Sequence, residues 1–245
     1  MKTIDINCDL GEGLGANQLG RDAEIMPYIT SANIACGFHA GDPGVMVQTV
    51  RLAKASGVKV GAHPGYPDRE GFGRRDMTML PAEVEAMLIY QIGALAGICR
   101  AEGVDLVHVK PHGALYNKAA SDPDLAVTLA KSVREFSREL ILVGLAGSYL
   151  ITAGKELGLN VLSEGFADRV YEPDGSLRSR SLPGAMITDP NEVARHGAEL
   201  AEKGVIARMG EHIVHWDIDT ICIHGDEPNA VENAIALRTA LSKND

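Results

Sequence analysis

The sequence predicts a single-domain, seven-stranded β/α barrel, and two observations predict it. Short β-branched or apolar runs alternate with longer segments of helical periodicity, the order of elements expected of a parallel sheet built from βα units. Histidines and carboxylates also recur at the C-terminal ends of successive strand-like runs, where barrel enzymes place their catalytic groups. A chain of 245 residues suits either one barrel or two small domains by size alone. No composition shift, low-complexity tract or long linker divides it, which favours one domain over 1–245.

Seven strands are expected near 3–10, 29–37, 58–64, 105–112, 139–146, 160–168 and 219–225. Side chains alternate faces along a strand, so each run divides into an outward apolar half and a lumen-facing polar half. The first strand sets Ile4, Ile6, Cys8 and Leu10 against Asp5, Asn7 and Asp9. The second sets Ile34 and Cys36 against Asn33, with His39 in phase just beyond its end. In the third, His63 shares a face with Lys59 against Val58 and Val60, and in the fourth His108, Lys110 and His112 oppose Val107 and Val109. Glu164 and Asp168 share a face of the sixth, while His224 and Asp226 oppose Ile221 and Ile223 in the last.

Helices are expected near 43–56, 81–103, 123–137, 149–158, 190–204 and 228–241. Asp42-Pro43 and Asp189-Pro190 each pair an N-cap with a first-turn proline. Val84, Met87, Leu88, Leu95 and Ile98 recur at helical spacing, which marks a face packed on the strands. Residues 64–77 and 169–186, rich in Gly, Pro, Asp and Arg, read as long loops leaving strands.

The formal net charge of −10 disfavours nucleic acid and anionic membranes as partners through simple repulsion. The longest apolar stretches, such as Leu140 to Ala146, fall short of a membrane span, and no secretory leader is apparent, so a cytoplasmic location is expected. Cys8, Cys36, Cys99 and Cys222 show no metal-knuckle or disulfide spacing and read as buried free thiols.

Imidazoles and carboxylates together either hold a divalent metal or perform general acid–base work, because their ordinary pKa values bracket neutral pH. Any one of these histidines alone is most simply a core residue satisfying a backbone group. Their recurrence at one end of several strands favours a site, whereas His196, His212 and His215 lie off the pattern and read as surface or packing residues. Asp9, Lys110, His112, Asp168 and His224 are the catalytic candidates; Asn7, Asn33, Arg74 and Arg169 are the substrate-binding ones. A lumen lysine can polarise a carbonyl, and a loop arginine can grip a carboxylate through two donors, although most of the loop arginines Arg69, Arg74, Arg75, Arg169, Arg178 and Arg180 are as well explained by solvation.

Three competing motifs are weaker. Gly11, Gly13, Gly15 and Ala16 imitate a dinucleotide fingerprint, but Asp9 and Glu12 would repel a pyrophosphate. Gly154-Lys155 lacks the glycine five residues earlier and the following Ser or Thr of a phosphate-binding loop, so no ATP site is recognisable. Ser148 stands outside a nucleophile elbow, and Cys8 and Cys36 face outward, which leaves water as the natural nucleophile.

The blocks DINCDLGEG at 5–13, SANIACGFHAGDP at 31–43, GAHPGYPDREGFGRR at 61–75, VKPHGALYN at 109–117, EGFADRVYEPDGSLRSR at 164–180 and CIHGD at 222–226 resemble the LamB/YcsF family, to which the A subunit of 5-oxoprolinase belongs, in order and from the first strand to the last helix. The resemblance implies a barrel of the glycoside hydrolase/deacetylase type and a share in ATP-dependent cleavage of 5-oxo-L-proline to L-glutamate, with two further subunits, B and C. It implies ATP as co-substrate, and with no phosphate-binding loop recognisable here the ATP site is expected on a partner. The deacetylase-like fold also implies a divalent metal, for which Asp9, His39 and His63 are the candidate ligands. A free-standing metal-dependent amidase or deacetylase and a non-catalytic binding subunit remain open alternatives. Inward polar groups add little packing, so replacing Asp9 or His63 is expected to abolish activity at a small cost in stability.

Overall fold

A computed structural model of the chain describes residues 3–13, 21–209, 211–227 and 229–242. Seven parallel strands, β1 (Asp5–Leu10), β2 (Ser31–Ala35), β3 (Lys59–His63), β4 (Leu106–Val109), β5 (Ile141–Leu145), β6 (Val161–Phe166) and β9 (Thr220–His224), close into a barrel in that order. Closure joins the last strand to the first: Asp9 stands opposite His224 on one side and Asn33 on the other.

Around the strands run the helices α2 (Pro43–Ser56), α3 (Pro81–Glu102), α4 (Gly113–Ser121), α5 (Pro123–Phe136), α6 (Tyr149–Glu156), α7 (Pro190–Lys203) and α8 (Ala230–Ser242), with a short α1 at Asp22–Ile25. The expected caps form. Asp42 accepts from the Val45 N–H at 2.9 Å, and Asp189 accepts from Asn191 and Glu192 at 3.0 and 3.1 Å. At 22 residues α3 is long and apolar enough to cross a membrane by length and composition alone. Here its Val84, Met87, Leu88, Ile92 and Leu95 are buried in the layer between strands and helices, as its periodicity predicts.

The alternation rule holds. Ile6, Cys8, Leu10, Ile34, Val60, Val109, Ile221 and Ile223 belong to the outer core that the helices cover. Their in-phase opposites turn inward, and the lumen admits them only because one position carries no side chain. A Cβ on Gly61 would lie 2.0 Å from the His108 ring, so the third strand yields its lumen position to the histidine of the fourth.

Besides the short α1, a helix and a hairpin go beyond the pattern read from the sequence. Helix α4 follows His112 directly, and an antiparallel hairpin, β7 (Val205–Met209) with β8 (His212–Trp216), stands between α7 and β9 outside the barrel. The hairpin carries the exposed His212 and His215, and His196 on α7 bonds the Ala167 carbonyl at 3.0 Å, as expected of surface and packing residues. Gly15, Ala16 and residue 228, at the start of the expected last helix, lie outside the described residues.

Candidate active site

A cleft of about 960 Å³ opens at the C-terminal ends of the barrel strands and is lined by Asp9, His63, Lys110, His112, Arg169 and His224 among others. Below it, the polar half of the lumen forms one hydrogen-bonded lattice. Lys110 Nζ lies 3.0 Å from Asp9 Oδ1, 2.9 Å from Glu164 Oε1, 3.1 Å from Asn7 Oδ1 and 3.0 Å from Cys222 Sγ. Asn33 donates to Asn7 Oδ1 at 2.7 Å and to Asp9 Oδ1 at 2.9 Å, and meets His108 Nε2 at 2.7 Å. Asn7 donates to Glu164 Oε1 at 2.9 Å and to the Thr220 hydroxyl at 2.7 Å, while the Tyr116 hydroxyl donates to Glu164 Oε2 at 2.6 Å.

Burial alone would neutralise these charges, but the lattice reverses that. Desolvation favours the neutral amine, yet Asp9, Cys222 and Glu164 hold the Lys110 pKa well above its ordinary value. Desolvation likewise raises Asp9, yet His63 and Lys110 hold its carboxyl well below the usual carboxylate range. Asp9 is therefore an anion pinned beside a cation.

The second group lies around the mouth. His63 Nδ1 is 2.7 Å from the Lys110 carbonyl, and His112 Nε2 is 2.8 Å from the Phe72 carbonyl. Carbonyls only accept, so both of these nitrogens carry hydrogen, and the other nitrogens, His63 Nε2 and His112 Nδ1, face each other at 2.9 Å. Asp9 Oδ2 lies 3.2 Å from His63 Nε2. Glu12 Oε1 lies 3.4 Å from both His112 Nδ1 and His39 Nε2. The His39 ring stacks on His112 at 3.7 Å between centroids. Glu12 Oε1 and both ring nitrogens of His39 are buried without a hydrogen-bond partner among the described residues. Burial, followed by the charges of neighbouring histidines, lowers the pKa of His39 and of His112 well below the ordinary range, so both are neutral at pH 7. Phe72, whose carbonyl orients His112, sits at φ 54, an unusual conformation for a bulky residue of the kind that clusters at functional sites.

The third group completes the ring. Asp168 Oδ2 accepts from the His224 backbone N–H and lies 2.8 Å from its Nδ1, which fixes the imidazole with Nε2 as the free nitrogen. Desolvation opposes ionisation of Asp168, but the His224 charge and these bonds keep its pKa lowered. Donor atoms of Asp9, Cys222 and His224 lie within 4.8 Å of one another.

Asp9, Lys110, His112 and His224 thus reach the cleft, whereas Asp168 stands behind His224. Asn7 and Asn33 sit in the floor, their amides engaged by neighbours. Arg74 lines the cleft and pairs with Asp226 at 2.6 Å; Arg169 lines it from the opposite loop and is 4% exposed. The other loop arginines serve the scaffold: Arg69 donates to the Gly37 and Gly41 carbonyls, Arg75 pairs with Asp68, and Arg178 with Glu172.

Strand phase alone identifies Cys222, which shares its face with His224, but its signal is that of an ordinary buried thiol. Glu12 and Tyr116 lie beyond strand ends, where alternation carries no information, and phase turns Glu164 inward without giving it a role.

The donor set Glu12, His39, His63 and His112 lies within 4.8 Å atom to atom. Two facing lone pairs at 2.9 Å repel unless a proton or a cation sits between them, and the unpartnered Glu12 and His39 atoms add acceptors around the same point. The residues therefore fit a divalent metal, with nitrogen donors dominant as zinc-like ions prefer.

Comparison with known proteins agrees along the whole chain. A family model described as the LamB/YcsF family matches residues 4–245. The chain is 56% identical over 241 residues to a protein of Chloroflexus aggregans named as the A subunit of 5-oxoprolinase, covering 98% of this chain and 96% of that one. A Pyrococcus furiosus protein of the same name is 50% identical over 240 residues, with coverage of 98% and 94%. The crystal structure of a lactam utilization protein from Thermus thermophilus superimposes with a TM-score of 0.90 at 49% identity, covering 100% of this chain and 97% of that one.

Proposed function

We propose, for a chain that belongs to the LamB/YcsF family, that it is the A subunit of an ATP-hydrolysing 5-oxoprolinase, a hydrolase that opens the cyclic amide of 5-oxo-L-proline to L-glutamate. The observation that carries this reading is the pinned Asp9 anion beside a cluster of buried imidazoles at the mouth of a cleft, in a chain about half identical to proteins bearing that name. The enzyme works in the cytoplasm with subunits B and C. ATP is its co-substrate, bound on a partner, since this sequence contains no G-x-x-x-x-G-K-[S/T] run.

Opening the ring requires water to add to the lactam carbonyl carbon, the C–N bond to break and the ring nitrogen to gain a proton. A five-membered lactam resists this at neutral pH; transfer of the ATP γ-phosphoryl group to the amide oxygen, with ADP leaving, makes that carbon electrophilic, and once the C–N bond has broken a second water releases the phosphoryl group as inorganic phosphate. His224 is placed to take the proton from water: Asp168 holds its Nδ1 and leaves Nε2 toward the cleft, the arrangement in which an imidazole acts as base and then as acid. Asp168 is then a positioning residue. Lys110 spends its donors on Asp9, Glu164 and Asn7, so its part is to keep Asp9 ionised beneath the reacting carbonyl. His112 presents its Nδ1 from the other side of the cleft.

A divalent metal would be held by Glu12, His39, His63 and His112, with Asp9 beside His63; when bound it supplies Lewis-acid polarisation of the amide oxygen or of water. The ligand set differs from the simpler Asp9, His39 and His63 triad by bringing Glu12 and His112 to His39 and His63.

The decisive assay measures glutamate and phosphate release by the purified chain, by subunits B and C, and by the mixture, alongside elemental analysis of the chain. Turnover only in the mixture supports the reading. Robust glutamate formation by the isolated chain without ATP would replace it with a free-standing metal-dependent amidase. Full turnover of a mixture carrying Asp9→Asn would make this chain a non-catalytic binding subunit.

A further inference from the structure

We infer that Arg169, seconded by Arg180, is the clamp for the substrate's carboxylate and makes the site selective for a ring that carries one; the identity of that ring rests on the lactam reading above.

Arg169 stands three residues past the end of β6, in the long loop that walls the cleft opposite Arg74. It is 4% exposed, and among the described residues no carboxylate forms an ion pair with it. Its Nη2 donates to the Arg178 carbonyl at 2.6 Å, a neutral acceptor, and its Nε is buried with no partner among the described residues. The nearest acid in sequence, Asp168, has committed Oδ2 to the His224 backbone and ring.

A buried guanidinium with no carboxylate in ion-pair reach is a costly arrangement, because the more distant Asp168 charge offsets only part of the desolvation. The structure adds a second cation rather than an anion: Arg180 lines the same wall and reaches a single acid, Glu227, at 3.3 Å. Desolvation, then the charge of Arg180, lowers the Arg169 pKa, so each arginine makes the other more costly to hold. An arriving carboxylate relieves both costs at once and meets a planar fork of donors.

The surroundings suit a small ring bearing that group. Phe166, Leu145, Tyr116 and Leu177 form an apolar cluster beside Arg169, where ring methylenes can lie, and the Asp9 and His224 groups stand across the cleft, where a carbonyl can reach.

Calorimetric titration of the full chain with three probes tests this: 5-oxo-L-proline, 2-pyrrolidinone, which keeps the lactam and lacks the carboxylate, and cyclopentanecarboxylate, which keeps the carboxylate and lacks the lactam. The wild type should bind 5-oxo-L-proline at least about tenfold more tightly than 2-pyrrolidinone, the loss expected when a charged hydrogen-bond pair goes unmade. Arg169→Gln should lose about tenfold or more for both carboxylates and leave 2-pyrrolidinone unchanged. Arg180→Gln, at a side chain about a quarter exposed, guards against misfolding of the first variant and should show a smaller loss restricted to the carboxylates. Equal weakening of all three probes, or unchanged carboxylate affinity in both folded variants, overturns the clamp. Arg169-dependent binding of cyclopentanecarboxylate with no binding of either lactam would leave the clamp standing and overturn the lactam reading. A folded wild type that binds no carboxylate overturns the clamp outright.

Discussion

The two halves of the barrel lumen differ in composition: one is polar throughout, and the other sets an apolar surface among its polar groups. From β1 to β4 the inward positions carry Asn7, Asp9, Asn33, His63, His108 and Lys110, and nearly every polar atom there is held by another. From β5 through β6 to β9 the apolar inward positions Leu145, Phe166 and Cys222, joined by Tyr116 from α4, are interleaved with the polar Glu164, Thr220 and His224. The polar half sets charges in place, and the apolar half excludes water that would otherwise screen them. Neither half suffices: the Lys110 ammonium lies 5.3 Å from the centre of the Phe166 ring and 3.0 Å from Cys222 Sγ, so it bridges the two.

The bridge is the sharpest place to break the comparison. Lys110→Met leaves Asp9 and Glu164 buried without their cation, and should cost about 3–5 kcal/mol in urea denaturation and abolish turnover of the reconstituted enzyme. This revises the expectation that lumen residues are functional with little structural weight, since the lattice makes them both. A loss below about 1 kcal/mol would show that the carboxylates simply take up protons, with no ion pair to break.

Leu145→Ala tests the other half. The side chain is buried against Phe166 at the edge of the cleft, so about 2 kcal/mol should be lost, the low end for such truncations because the site opens to the cleft. Its kinetic mark should be a raised KM with kcat changed less, the opposite of a polar-half substitution. A fall in kcat alone would erase the distinction between the halves.

Tyr116→Phe keeps the apolar ring and removes one bond, the 2.6 Å donation to Glu164. About 1.5 kcal/mol is the expected cost for a bond to a charged acceptor, with KM unaffected.

The smallest effect is one of pH. Burial raises the Asp168 pKa, but the His224 charge and its bonds lower it further, for a net depression below the ordinary carboxylate. A depressed acid contributes stability that is present above its unfolded pKa of about 3.9 and is lost as pH falls from there through the folded value. Urea midpoints measured from pH 7 down to pH 3 should therefore fall less steeply below about pH 4 in Asp168→Asn than in the wild type. Identical slopes would mean that the Asp168–His224 pair adds nothing to folding.

The same contrast explains what the sequence discloses. Polar residues at every second position are conspicuous against β-branched neighbours, so Asp9, His63, Lys110 and His224 are legible from phase alone. Leu145 and Phe166 point inward by the same rule, yet an apolar side chain in a strand reads identically whether it faces helices or a ligand. Glu12 lies past the end of β1, where alternation stops. The hairpin Val205–Trp216 hides for a different reason: it is paired only with itself, so its pattern does not match the barrel's. Its Trp216 is nonetheless fitted to the cleft wall, for a Cβ on Gly147 would lie 2.3 Å from the indole, a contact between distant segments that no local signal announces.

Barrel closure through β1 and β9 ties Asp9 to His224, and with them the earliest and latest parts of the lumen. On a ribosome that emits residues from the N-terminus at roughly 5–20 per second, the first strand waits on the order of ten seconds or more for its final neighbour. Throughout that interval Asp9 lacks one flank of its sheet and the His224 that stands beside it. A nascent or truncated chain that stops short of β9 therefore carries Asp9, Lys110 and the Glu12, His39, His63 and His112 cluster in a lumen open on one side.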